Sequence, residues 1–300
     1  MLHSRLLRYL DEVARCGSIR GAAERLNVAS SAINRHVLQL EESIGEPLFE
    51  RLPRGLRLTP AGEVLLAHIR RTMQEYSQVE AEIRDLKGLQ SGEVIIATMN
   101  GLAGGIIPQT AATFCARHPN IKISIRVMFI RDIIAAVADG EADLGLAFNL
   151  PDTPQLDTLA RMDARLGAVV APGHALTSMS SIPLAFCAPY PLIFADRTML
   201  IHDIVTDAFA QAGLDVEPTF LTNSIESMKW LAASGEAIAF LSKFDIAEEH
   251  RNGLLNYLQI RDRVMGKNVL SLVQRGKRNL GLAASMFAEE VLRSLRAAVE

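Results

Sequence analysis

Five polar residues, Ser30, Ser31, Asn34, Arg35 and Gln39, interleave with Ile33, Val37 and Leu40 at helical spacing. A helix over residues 30–44 would bury the three apolar side chains and turn the hydroxyls, amides and one guanidinium outward. Such a face suits the major groove, where base edges offer donors and acceptors and an arginine forks onto guanine. Just downstream, residues 47–60 read as two short strands around a turn that carries Arg51, Arg54 and Arg57. Arginines at a hairpin tip suit phosphates, or the minor groove beside a recognition helix. The alternative is an ordinary three-helix packing unit with a solvated polar face. Charge distribution favours nucleic acid: residues 1–71 hold eleven arginines and no lysine against eight carboxylates, whereas residues 72–300 hold twenty cations against twenty-six carboxylates.

Other chemistries find no matching pattern. Gly101, Gly104 and Gly105 follow a strand and open a helix, but their spacing fits neither nucleotide-binding fingerprint, so they read as a ligand loop. The seven histidines lack metal-site spacing, and no serine elbow or lysine motif announces covalent catalysis. Cys16, Cys115 and Cys187 are few and far apart, as buried free thiols would be. No metal, cofactor or enzymatic activity is expected.

These groups need scaffolding. Three hundred residues, 49% hydrophobic and 22% charged, suffice for two domains. Leu6, Leu7, Leu10, Val13 and Ala14 predict a first helix ending near Gly17; Ser18 caps a second through Leu26; Asn27 supplies a turn with positive φ. Thr59 and Pro60 start a long helix reaching about Lys87. Its rows Leu65, Thr72, Val79, Leu86 and Ile69, Tyr76, Ile83 follow a two-helix seam, which predicts a homodimer. The N-terminus lacks the apolar run of a signal peptide or membrane span, so no membrane partner and a cytoplasmic location are expected.

From Gly92 strands and helices alternate: strand 93–98, helix 103–117, strand 121–127, helix 130–139 and strand 144–148, then a loop with Pro151 and Pro154. A second set has strands near 166–171, 192–194, 219–221 and 238–241 and helices at 202–212 and 225–233, before a strand at 269–273 and a helix at 282–295. The expected class is α/β, two lobes joined by crossovers. A ligand would bind where strand ends face one another. Loops at Met99, Asn100 and Gly101, at Thr198, and at Thr222, Asn223 and Ser224 join strands to helix starts, whose amides and dipoles could converge on an anion. The expected effector is a small polar metabolite with some hydrocarbon, a carboxylate being one candidate.

The stretch Ala22-Ala23-Glu24-Arg25-Leu26, then Ile33-Asn34-Arg35, Leu40-Glu41, Leu48-Phe49-Glu50-Arg51 and Arg57-Leu58-Thr59-Pro60-Ala61-Gly62 resembles the N-terminal signature of the LysR-type transcriptional regulators. Ser30 stands where that family often has Gln, and Asn34 where it usually has Ser. Residues 140–146, 172–174 and 233–239 resemble its effector-domain segments. The resemblance implies a winged helix-turn-helix over 1–60, a dimerising linker helix over 61–90 and a periplasmic-binding-protein-like effector domain over 91–300. Within it, lobe 1 would hold about 91–160 plus 266–300 and lobe 2 about 161–265. It also implies promoter DNA as partner, a homodimer that pairs again into a tetramer, and Ile130 as a wall of the effector pocket. A solute-binding receptor would leave the arginine wing unexplained; an enzyme with a DNA-binding head would need catalytic residues.

Overall fold

The structure is a computed structural model that describes residues 5–52, 55–85, 92–262, 264–276 and 279–299. The described chain divides into two compact units, one made by the residues up to 85 together with 139–141, and one by the remaining residues from 92 on.

In the first unit α1 (Arg5–Cys16), α2 (Ile19–Leu26) and α3 (Ser30–Ile44) pack around Tyr9, Leu10, Val13, Ala22, Ala23, Ile33 and Val37. Alanines at 22 and 23 leave room for close helix approach. Local chemistry sets the boundaries. Ser18 Oγ accepts from Gly21 N at 3.0 Å, Asn27 ends α2 with φ 53°, and Gly45 ends α3 with φ 81°. The antiparallel pair β1 (Phe49–Leu52) and β2 (Gly55–Leu58) follows, with Glu50 opposite Arg57. Gly55 is required where it stands: its φ is 132°, and a Cβ there would lie 2.6 Å from the Gly17 carbonyl oxygen, which also accepts Leu56 N at 2.7 Å. Helix α4 (Pro60–Asp85) opens with Thr59 Oγ1 accepting from Gly62 N at 3.0 Å.

Helix α4 corrects one expectation. Ile69, assigned above to an intersubunit seam, is 2% exposed inside the core of its own unit, with Leu65 and Met73 packed against the same cluster. A heptad pattern shows that a face is apolar but not what covers it. Val79 and Ile83, further along, are about half exposed, at 49% and 50%. Leu86 lies outside the described residues.

The second unit begins with β3 (Gly92–Thr98), α5 (Asn100–Ala103), α6 (Ile106–Arg117), β4 (Ile121–Val127), α7 (Ile130–Ala138), β5 (Leu144–Phe148) and β6 (Leu156–Asp163). It continues with β7 (Gly167–Val170), β8 (Ser181–Ile182), β9 (Leu192–Ala195), α8 (Leu200–Gln211), β10 (Phe220–Thr222), α9 (Ile225–Ala233), β11 (Ile238–Leu241), α10 (Ala247–Arg251) and β12 (Asn256–Ile260). It closes with β13 (Val269–Arg275) and α11 (Leu282–Ala297). Two sheets result, ordered β4-β3-β5-β13-β6 and β10-β9-β11-β7-β12-β8. The β4-β3-β5 and β10-β9-β11 portions are parallel; β13 and β6 run antiparallel to their neighbours, as does β7, while β12 is antiparallel to β7 and parallel to β8. The sheets are therefore mixed. The helix expected over 103–117 begins at Ile106, and Gly104 and Gly105 separate it from the short α5 before it.

An amide cluster ties the crossing segments together. Asn149, at φ 52°, donates through Nδ2 to Asn268 Oδ1 at 2.8 Å and accepts from Val269 N at 3.0 Å. Asn268 is 1% exposed and donates to the Ala164 carbonyl at 2.9 Å. Buried amides hold this place because each polar atom finds a partner.

Candidate nucleic-acid interface and effector loops

Burial of Ile33 and Val37 fixes the rotation of α3 and leaves Ser30, Ser31, Arg35 and Gln39 exposed, with Asn34 half-buried beside them. Among the described residues neither Arg35 nor Arg51 is drawn into an ion pair, so both guanidinium groups can meet a polyanion. Arg57 differs: its Nη2 pairs with Glu50 Oε2 at 2.8 Å across the hairpin. Arg54 lies outside the described residues.

Two contributors leave no mark in the helical pattern. Glu41 Oε1 accepts from Leu48 N at 2.8 Å and Phe49 N at 3.2 Å, which fastens the start of the β1–β2 hairpin to the last turns of α3. Thr59 strengthens the same junction, donating from Oγ1 to the Pro47 carbonyl at 2.6 Å while its own amide donates to Leu48 O at 3.0 Å. Helix and hairpin are thereby held as one surface. Leu38 is the other: it is 47% exposed on a face expected to be polar.

In the second unit the loops named from the sequence sit at the C-terminal ends of the parallel strands β3, β4, β9 and β10. Met128 N donates to Thr98 O at 2.9 Å, which sets the approach to Ile130 beside Met99. Asp196 N donates to Thr222 O at 2.9 Å, joining the loops that carry Thr198 and Asn223. Gly101 meets the other lobe: a Cβ there would stand 2.7 Å from Asp245 Oδ1 and 3.2 Å from Ile225 Cγ1. At Gly104 a Cβ would collide with Glu226 Oε1.

Several polar groups of these loops already have partners within the chain. Thr198 N and Oγ1 both donate to Asp196 Oδ1, at 2.9 and 2.5 Å, so that amide is engaged; these two bonds also hold the Asp196 carboxyl below its ordinary range. Thr222 Oγ1 accepts from Ser224 N, and Ser224 Oγ from Ser227 N, each at 3.2 Å, so both hydroxyls serve as caps. Helix α5 spans four residues and offers little dipole. Asn100 and Asn223 remain exposed.

Charge is instead buried behind the loops. Lys229, 3% exposed, pairs with Glu226 at 2.7 Å and Glu249 at 2.8 Å. Burial works against its charge, but the two carboxylates outweigh it and raise its pKa. Asp245 accepts from Ser242 N at 2.9 Å and Ser242 Oγ at 2.6 Å, yet complete burial pushes its carboxyl above the ordinary range. A cavity of about 320 Å³ lies elsewhere, over β6 and β13, lined by Leu150, Pro151, Thr158, Arg161, Ser271 and Val273; it contains none of the loop residues expected to bind effector.

Comparison with known proteins gives one consistent picture. Residues 4–63 match the bacterial regulatory helix-turn-helix protein, lysR family, and residues 87–296 match the LysR substrate binding domain. A "Probable RuBisCO transcriptional regulator" of Emiliania huxleyi is 26% identical over 295 residues, covering 96% of this chain and 94% of its own. Among solved structures, a full-length OxyR cysteine variant from Pseudomonas aeruginosa aligns with TM-score 0.71 at 19% identity, covering 98% of this chain and 95% of its own. Full-length CbnR complexed with its target DNA aligns with TM-score 0.66 at 22% identity, covering 97% and 99%.

Proposed function

Because the chain belongs to the LysR family of transcriptional regulators, DNA-binding proteins with an effector-binding domain, we propose that α3 reads its operator through Ser30, Ser31, Asn34, Arg35 and Gln39. Arg51, Arg54 and Arg57 hold phosphates. The observation that carries this reading is the exposed hydrogen-bonding face of α3, with the hairpin fastened beside it by Glu41. Arg35→Ala should weaken binding by about 1–3 kcal/mol and relax preference at one base pair. Loss of a phosphate contact should flatten the log–log salt slope by about 0.9. Titrating operator variants by gel shift separates the two. Unchanged base preference in Arg35→Ala would remove α3 from the bases.

The effector-binding domain takes a small molecule at the loops of Met99, Asn100, Gly101, Ile130, Thr198, Thr222, Asn223 and Ser224. The exposed Asn100 and Asn223 side chains and the apolar Met99 and Ile130 favour a neutral or zwitterionic metabolite over a simple anion. A carboxylate would have to displace the cap bonds at Thr198 and Ser224. Occupancy shifts the balance between conformations of the domain and so alters promoter binding. The assembly is a homodimer through the part of α4 that carries Val79 and Ile83, pairing again into a tetramer. The protein acts in the cytoplasm as a regulator rather than a catalyst. Asn100→Ala and Asn223→Ala should each weaken a ligand found by thermal shift; wild-type affinity in both would refute the loop assignment.

A further inference from the structure

Leu38 is the one large apolar side chain on the outward face of α3 that the hydrogen-bonding residues leave unexplained. At about 100° per residue, Leu38 projects within about 20° of Ser31 and about 40° of Asn34, and Arg35 lies one turn before it. It is therefore in the middle of the face, while Ile33 and Val37 point into the core. Its 47% exposure has no covering partner among the described residues of the unit. A single exposed leucine is ordinary on a protein surface; one centred among base-reading groups would be desolvated whenever they work. Only one feature of the major groove rewards an apolar group there, the C5-methyl of thymine. Along the axis Leu38 stands about 4.5 Å beyond Arg35, close to the step from one base pair to the next.

We propose that Leu38 is a specificity-determining residue that packs on a thymine methyl at a pair adjacent to the one Arg35 contacts. The inference rests on α3 lying in the major groove as proposed above. The guanidinium then fixes register by hydrogen bonds, and the leucine adds a preference for thymine over the other three bases without any hydrogen bond.

Removal of the methyl alone tests this. An operator selected from a random duplex library by the full-length protein is remade with each thymidine singly replaced by deoxyuridine, which keeps base pairing and deletes only the methyl. Wild type should lose about fourfold in affinity at one position per half-site, the effect of one buried methyl-sized group. Leu38→Ala should bind the two duplexes equally, and Leu38→Met should restore the difference. Indifference of wild type to every replacement would overturn the proposal, as would a Leu38→Ala protein that keeps the full difference. Either result, with Arg35→Ala still relaxing base preference, sinks the role of Leu38 alone; unchanged preference in Arg35→Ala as well sinks the placement of α3.

Discussion

Ile69 and Ile83 lie two heptads apart on one face of α4, yet truncating them should damage different things. Ile69 is 2% exposed in a cluster with Tyr9, Leu10, Val13 and Ile33, so Ile69→Ala removes three buried carbons and leaves a cavity between α4 and α1. Such truncations cost about 2–5 kcal/mol. At about 3 kcal/mol, the amides of α1 to α3 that exchange only when the unit opens should exchange on the order of a hundredfold faster. Hydrogen exchange read by mass spectrometry on peptides from 5–44 would report this, with peptides from 92–299 as the internal control. Ile83→Ala, at 50% exposure, should leave exchange in 5–44 unchanged and instead weaken self-association by sedimentation. Unaltered protection of α1 to α3 in Ile69→Ala would show that Ile69 is not core.

Other perturbations have equally definite outcomes. Asp245 has its folded-state pKa raised by burial, against the bonds from Ser242 and the charge of Lys229, with Glu226 adding to the rise. Its contribution to stability is therefore complete below the unfolded value, about pH 4, and is lost as pH rises through the raised one. Asp245→Asn should flatten urea-measured stability across that window; an unchanged profile would refute the burial argument. Gly101→Ala forces a Cβ against Asp245 and Ile225 and should cost about 1–3 kcal/mol by the same assay. Cys187 is fully buried, with its thiol pushed up to about 12, so it should resist iodoacetamide at pH 8 until the protein is denatured, as mass spectrometry would register.

What the sequence made legible follows from how local each signal is. Ser18, Asn27, Gly45 and Thr59 act within a turn of themselves, and the helices they bound begin and end where those residues imply. Strand β6 escaped notice because Pro151 and Pro154 read as loop and its side chains, half of them exposed and none buried, show little alternation. Strand β12 escaped too, since its pairing with β7 and β8 depends on residues far away in sequence. Periodicity gave Ile69 an apolar face but no neighbour. The loops at Met99, Thr198 and Thr222 lie at strand ends as the topology implies, but the bond from Thr198 to Asp196, two residues back, leaves no trace in a strand–helix pattern. Leu38 was passed over because an outward leucine breaks the expected polar pattern.

The shared core of α4 and the winged head has a mechanical consequence. With Leu65, Ile69 and Met73 embedded among α1 to α3, the first half of the helix cannot turn or slide without carrying the head along. The helix is a rigid arm of 26 residues, about 39 Å long. A tilt of only about 5° imposed near Asp85 would sweep the opposite end through about 3 Å, close to the ~3.4 Å rise of one base pair. A head mounted in this way would be carried bodily by any such tilt, with its three helices moving as one piece.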